Sequence, residues 1–116
     1  MTAAIETCTP AMPLQDVAQL MARRNIGAVP VVGDYDRLEP IGIITDHDIV
    51  VRGLTQRHNP ARLRAADCMS VAVVTTTPDA GVDEAAQLME QAGVGRVVVV
   101  DHAGHCAGIV TRGDLR

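Results

Sequence analysis

A pattern of glycine, two aliphatics, threonine, two variable positions and aspartate occurs twice in this chain. It stands as Gly42-Ile43-Ile44-Thr45-Asp46-His47-Asp48 and as Gly108-Ile109-Val110-Thr111-Arg112-Gly113-Asp114. A threonine placed where a strand ends and a helix begins can cap that helix, and its hydroxyl together with exposed backbone N–H groups makes an anion site suited to phosphate. Three residues on, within one helical turn, a carboxylate lies on the same side and can accept charge-assisted hydrogen bonds from both ribose hydroxyls. Thr45 and Thr111 are thus candidate phosphate contacts, and Asp48 and Asp114 candidate ribose acceptors. The plainer alternative makes the threonines N-caps and the aspartates first-turn acids, each worth about 1 kcal/mol to its helix. Arg96 and Arg112 could neutralise phosphate or be solvated charges. His47 could offer a pH-dependent phosphate contact or be an exposed helix residue. Asp46, beside Thr45, is expected to repel phosphate and so to favour the site next to Arg112, unless Arg96 reverses that ranking.

Other chemistries find less support. His102, His105 and Cys106 are close in sequence and offer nitrogen and sulfur ligands, but their spacing fits no structural zinc pattern, and the expectation is no metal. Cys8, Cys68 and Cys106 form an odd, scattered set without a CxxC pair or a motif of activating base and orienting acid, which points to the reducing cytosol and away from thiol catalysis. All ten basic residues are arginine, so no lysine exists for Schiff-base or Walker-type chemistry. A net charge of −4 and a single aromatic, Tyr35, argue against nucleic acid as a partner. No apolar run approaches the roughly 18 residues needed to span a bilayer, and the N-terminus lacks the regions of a signal peptide, so a cytoplasmic, soluble protein is expected.

The elements that must position these residues are duplicated. At an offset of 68 residues, 5–34 align with 73–102, with identities that include Thr9/Thr77, Pro10/Pro78, Leu20/Leu88, Met21/Met89, Gly27/Gly95 and Val31/Val99; a two-residue shortening of the next loop brings the two motifs into register. In each copy a short extended segment closed by proline precedes a predicted helix. Its apolar stripe is Leu14, Val17, Ala18 and Met21 in copy one, and Val82, Ala85, Ala86 and Met89 in copy two. The helix faces carrying Leu20, Met21, Leu88 and Met89 are most simply core, with a dimer contact as the alternative. Gly27 and Gly95 are expected where these helices have stopped. The β-branched runs 28–32 and 96–100 predict buried strands, and 41–44 and 107–110 return as their partners after Gly- and Asp-bearing turns. Copy one adds a helix from about Asp46 to Leu54. At 116 residues neither copy can bury a secure core alone, so one core must be shared.

These two motifs, each behind a hydrophobic helix and a β-branched strand, resemble the CBS family over nearly the whole chain, and most of all the stand-alone bacterial CBS-pair proteins, including the actinobacterial hypoxic-response type. The resemblance implies an α/β (α+β) fold of two β-α-β-β(-α) repeats about a pseudo-two-fold axis, with CBS motif 1 at 1–54, a linker at 55–66 and CBS motif 2 at 67–116. It implies a regulatory, non-enzymatic module that binds an adenosyl ligand, AMP, ADP, ATP or S-adenosylmethionine, in clefts between repeats and needs no cofactor for catalysis. By the same resemblance Thr45 and Asp48 share a cleft with Val73, Arg96 and Val97, and Thr111, Arg112 and Asp114 share one with Ala28, Val29 and Pro30. A homodimer and an unidentified protein target are the implied partners, and the alternative is a stress-related interaction protein of the same fold without nucleotide. Copy two stops two residues after Asp114, so a weakened second cleft is expected, and any fused catalytic domain would be expected beyond Arg116.

Overall fold

A computed structural model describes residues 2–3, 6–36, 38–54, 59–71 and 73–112 of the chain. In order they form β1 (Thr2–Ala3), α1 (Leu14–Arg24), β2 (Ala28–Val32), β3 (Pro40–Thr45), α2 (Asp46–Asp48), a π-helical segment (Ile49–Leu54), a 3-10 turn (Pro60–Arg62), α3 (Ala65–Cys68), β4 (Thr75–Thr76), α4 (Val82–Ala92), β5 (Arg96–Val100) and β6 (Cys106–Thr111).

The duplication is carried into hydrogen-bond register. The hairpin β2–β3 pairs Ala28 with Thr45 and Pro30 with Ile43, and β5–β6 pairs Arg96 with Thr111 and Val98 with Ile109. Each hairpin has a register shift at the same place, between Val31 and Val32 and between Val99 and Val100. The flanking pairings also correspond. Cys8 bridges Val31 in parallel as Thr76 does Val99, and Ser70 bridges Ile43 antiparallel as Thr2 does Ile109. The last strand of each repeat is thus bordered by backbone from the start of the other repeat. Neither hairpin closes on its own sequence neighbours, which is why the halves are interwoven rather than merely adjacent.

Packing corrects the expected stripes. In α1 the buried residues are Leu14, Val17, Leu20 and Met21, while Ala18 is exposed. In α4 Ala85 and Met89 are buried, Leu88 packs against them, and Val82 and Ala86 face outward. The face rotates toward leucine because a leucine removes far more apolar surface from water than an alanine does. The helices also stop earlier than expected, at left-handed Asn25 (φ 53°) and Gly93 (φ 68°), whose N–H groups reach back to carbonyls of the last turn. Gly27 has a different use: a Cβ there would lie 3.2 Å from the Asp46 carboxylate.

The core has a cluster under α1 that also takes in Ala65 and Cys68, a cluster under α4, and a third in which Val32, Val98 and Cys106 meet Ile43 and Val73. The first and third clusters contain side chains of both repeats and make the interior a shared one. The helix expected from Asp46 to Leu54 is present, but only its first three residues are α-helical before it widens to a π-helix. Gly53 is buried there, because a Cβ would come within 3.0 Å of Leu14 Cδ2 and 3.6 Å of Cys68 Sγ. None of the helices among the described residues is long and apolar enough to cross a membrane.

Candidate functional site

Thr45 ends β3 with extended backbone (φ −113°, ψ 163°) and caps α2. Its Oγ1 accepts the Asp48 N–H at 3.0 Å, and Asp48 Oδ2 accepts the Thr45 N–H at 2.9 Å. This reciprocal capping box ties the two motif residues to each other. It fixes the Asp48 carboxylate with one oxygen turned to backbone, and a carboxylate retains further acceptor capacity beyond that bond. The helix-capping role considered for these residues is therefore real, and it also orients them.

Beside this cap lies a cleft of about 370 Å³. Thr45, His47, Asp48 and Ile43 form one wall, Ser70, Val73 and Val74 a second, and the 93–96 turn with Arg96 and Val98 a third. Four of the residues expected to meet, Thr45, Asp48, Val73 and Arg96, thus line one cavity drawn from both repeats. Val97 does not line it. Its side chain is buried with Ala85, Met89, Val99 and Val110 in the repeat-two core. Strand alternation sends neighbouring side chains to opposite faces, so Arg96 and Val98 turn to the cleft and Val97 away from it. The period-2 rule applied from Arg96 would have found Val98. Ser70 carries no local signal, since only its pairing with Ile43 brings it to the wall: Ile43 N–H donates to Ser70 O at 2.9 Å and Ser70 N–H to Ile43 O at 2.8 Å.

Gly42 explains the first position of the motif. A Cβ on it would lie 2.9 Å from Ser70 O and 3.2 Å from Met69 Sδ, so the crossing segment can lie against β3 only where the side chain is absent. Asp46 is turned elsewhere: its Oδ1 accepts the His47 N–H at 2.8 Å and its carboxylate sits against Gly27, outside the cleft lining. The charged and titratable groups on the wall are Asp48, Arg96 and His47.

At the pseudo-symmetric position the residues are placed differently. Thr111 ends β6 as Thr45 ends β3, and Arg112 N–H donates to Gly95 O as Asp46 N–H donates to Gly27 O. The Arg112 guanidinium donates to the Val94 carbonyl at 3.2 Å, an engagement with the turn after α4. Val29 is buried in the repeat-one core, as Val97 is in its own, while Pro30 and the half-buried Ala28 occupy the opposite strand face. Asp114 lies outside the described residues.

The residues weighed for metal diverge. Cys106 is buried in the central cluster, with burial raising its thiol pKa. His105 faces Asp101 at 3.9 Å, and Asp101 is itself held below the usual carboxylate range, chiefly by the His105 N–H. Among the described residues no group of three His, Cys, Asp or Glu side chains is placed to hold a metal ion.

Comparison with known proteins agrees with this architecture. The chain is 39% identical over 109 residues to an uncharacterised protein of Methanopyrus kandleri, covering 94% of this chain and 55% of that protein, so it spans little more than half of that relative's length. It is 35% identical over 102 residues to hypoxic response protein 1 of Mycobacterium tuberculosis, covering 88% of this chain and 69% of that one. The crystal structure of a hypoxic response protein with two coordinated zinc ions superposes with a TM-score of 0.84 at 32% identity, over 99% of this chain and 91% of that one. A structure of CBSX2 in complex with AMP superposes with a TM-score of 0.79 at 22% identity, over 99% and 88%, a likeness of fold. The CBS domain matches twice, at residues 1–53 and 65–116, and the chain therefore belongs to the CBS domain family.

Proposed function

We propose that this CBS pair is a regulatory module that binds an adenosyl ligand, AMP, ADP, ATP or S-adenosylmethionine, in the cleft beside Thr45. The observation that carries the proposal is the joint placement of an oriented Asp48 carboxylate, the Arg96 cation and the aliphatic Ile43, Val73 and Val98 on the walls of one cavity. Asp48 accepts the ribose hydroxyls, the aliphatic side chains hold the base, and Arg96 with His47 faces the anionic end. The same fold accommodates AMP in CBSX2. A ligand held between walls from both repeats favours the relative arrangement of the repeats that it binds more tightly, which is what a regulatory module requires.

Calorimetry with each of the four ligands tests this. Asp48→Asn keeps an acceptor for the Thr45 N–H but loses the charge, and it weakens binding about ten- to a hundredfold, equivalent to the roughly 1.5–3 kcal/mol of a hydrogen bond to a charged group. Wild-type protein that binds none of the four at millimolar concentration refutes the proposal.

One observation favours a second reading, a protein-interaction module without nucleotide. The helix adjoining Thr45 and Asp48 exposes Val50, Val51 and Leu54 by 52%, 47% and 61%. Under either reading this apolar face is covered by a second copy in a two-fold homodimer. An unidentified protein target then completes the signalling chain. Neither nucleic acid nor a membrane has a place in it, and the setting is cytoplasmic.

A further inference from the structure

Arg52 is outside the cleft lining, yet it holds the segment that forms one wall. Its Nη1 lies 3.3 Å from Cys68 O, 3.1 Å from Met69 O and 3.4 Å from Ser70 Oγ. Buried Gly53 lets the π-helical segment approach Cys68, which brings the neighbouring Arg52 within reach of these acceptors. On the other side Met69 and Ser70 are seated in the Gly42 notch, and Ser70 is paired with Ile43. The crossing segment is therefore clamped between a guanidinium and a strand.

We propose that Arg52 is a positioning residue for the adenosyl site, holding the Cys68–Ser70 segment so that Ser70 and Val73 stand at the correct distance from Thr45 and Asp48. The proposal rests on the nucleotide reading above. Because Arg52 acts through the wall and not through phosphate, its loss affects nucleoside and nucleotide alike. A misplaced wall degrades every contact made across the cleft, whereas a missing phosphate ligand degrades only one.

The test measures adenosine and AMP affinity by calorimetry for wild type, Arg52→Ala, Arg52→Gln and Arg52→Lys, with amide hydrogen exchange on the ligand-free proteins. Expected are an equal loss of about tenfold for both ligands in Arg52→Ala and Arg52→Gln, and substantial rescue by Arg52→Lys, whose ammonium has three donors for the same acceptors. Faster exchange at the Ile43 and Ser70 amides is expected too, with the β5–β6 amides unchanged. A loss for AMP but not adenosine makes Arg52 a phosphate ligand and overturns the proposal. Unchanged affinity with a lowered melting temperature reduces Arg52 to a stabilising contact and also overturns it. If wild type binds neither ligand, the nucleotide reading fails. The exchange measurement then decides separately whether Arg52 holds the wall, and unchanged protection at Ile43 and Ser70 refutes that role.

Discussion

Gly42→Ala is the substitution whose consequence follows most directly from the geometry. The new methyl would sit 2.9 Å from Ser70 O, an atom of backbone rather than the end of a flexible side chain. Ser70 cannot withdraw freely, because it both donates to and accepts from Ile43, at 2.8 and 2.9 Å. Two responses are open. The segment can stay and absorb the overlap, for which overpacking costs about 1–3 kcal/mol. Or it can leave, giving up two hydrogen bonds of about 0.5–1.5 kcal/mol each, again about 1–3 kcal/mol. Either route lowers the melting temperature by about 3–15 °C for a domain of this size, at about 3–5 °C per kcal/mol. Gly33→Ala is the control, since its Cβ meets only Ile41 Cγ2 at an ordinary 3.8 Å. That change leaves stability within about 1 kcal/mol of wild type. Thermal and urea denaturation followed by circular dichroism read both variants. Because Ser70 walls the cleft, Gly42→Ala should also weaken AMP binding while Gly33→Ala does not. Equal midpoints for the two variants refute the notch as the reason for glycine at the head of the motif.

Further outcomes follow from burial and charge. Burial pushes the Cys8 thiol from 9.0 up to about 11, so folding favours its protonated form. The resulting stability is complete below pH 9 and is lost as pH rises toward 11, by about 3 kcal/mol; urea titrations across pH 8–11 should show a shallower decline in Cys8→Ala, and identical slopes would contradict this. Leu54→Asp places a charge on the exposed face it shares with Val50 and Val51 and should convert a dimer to monomer in light scattering at micromolar concentration; wild type that is already monomeric there removes the dimer proposal.

Much of this protein is determined by its sequence alone, because the signals involved are local and repeated. The offset between copies placed two equivalent hairpins, the β-branched runs marked their buried strands, and a threonine three residues before an aspartate marked a capped strand-to-helix junction. Those features depend on periods of 2 and 3.6 residues and on one turn of backbone. Tertiary structure decided what depends on the path of the chain. It left Ala18 out of the α1 core and set Val98, not Val97, at the cleft. It turned Asp46 toward Gly27, and it carried Ser70 across β3 into a notch that only Gly42 allows, with Arg52 behind it. The Ser70 crossing has no local signature, since it arises where backbone from one repeat borders a strand of the other, and the energy of that contact is absent from either segment read by itself.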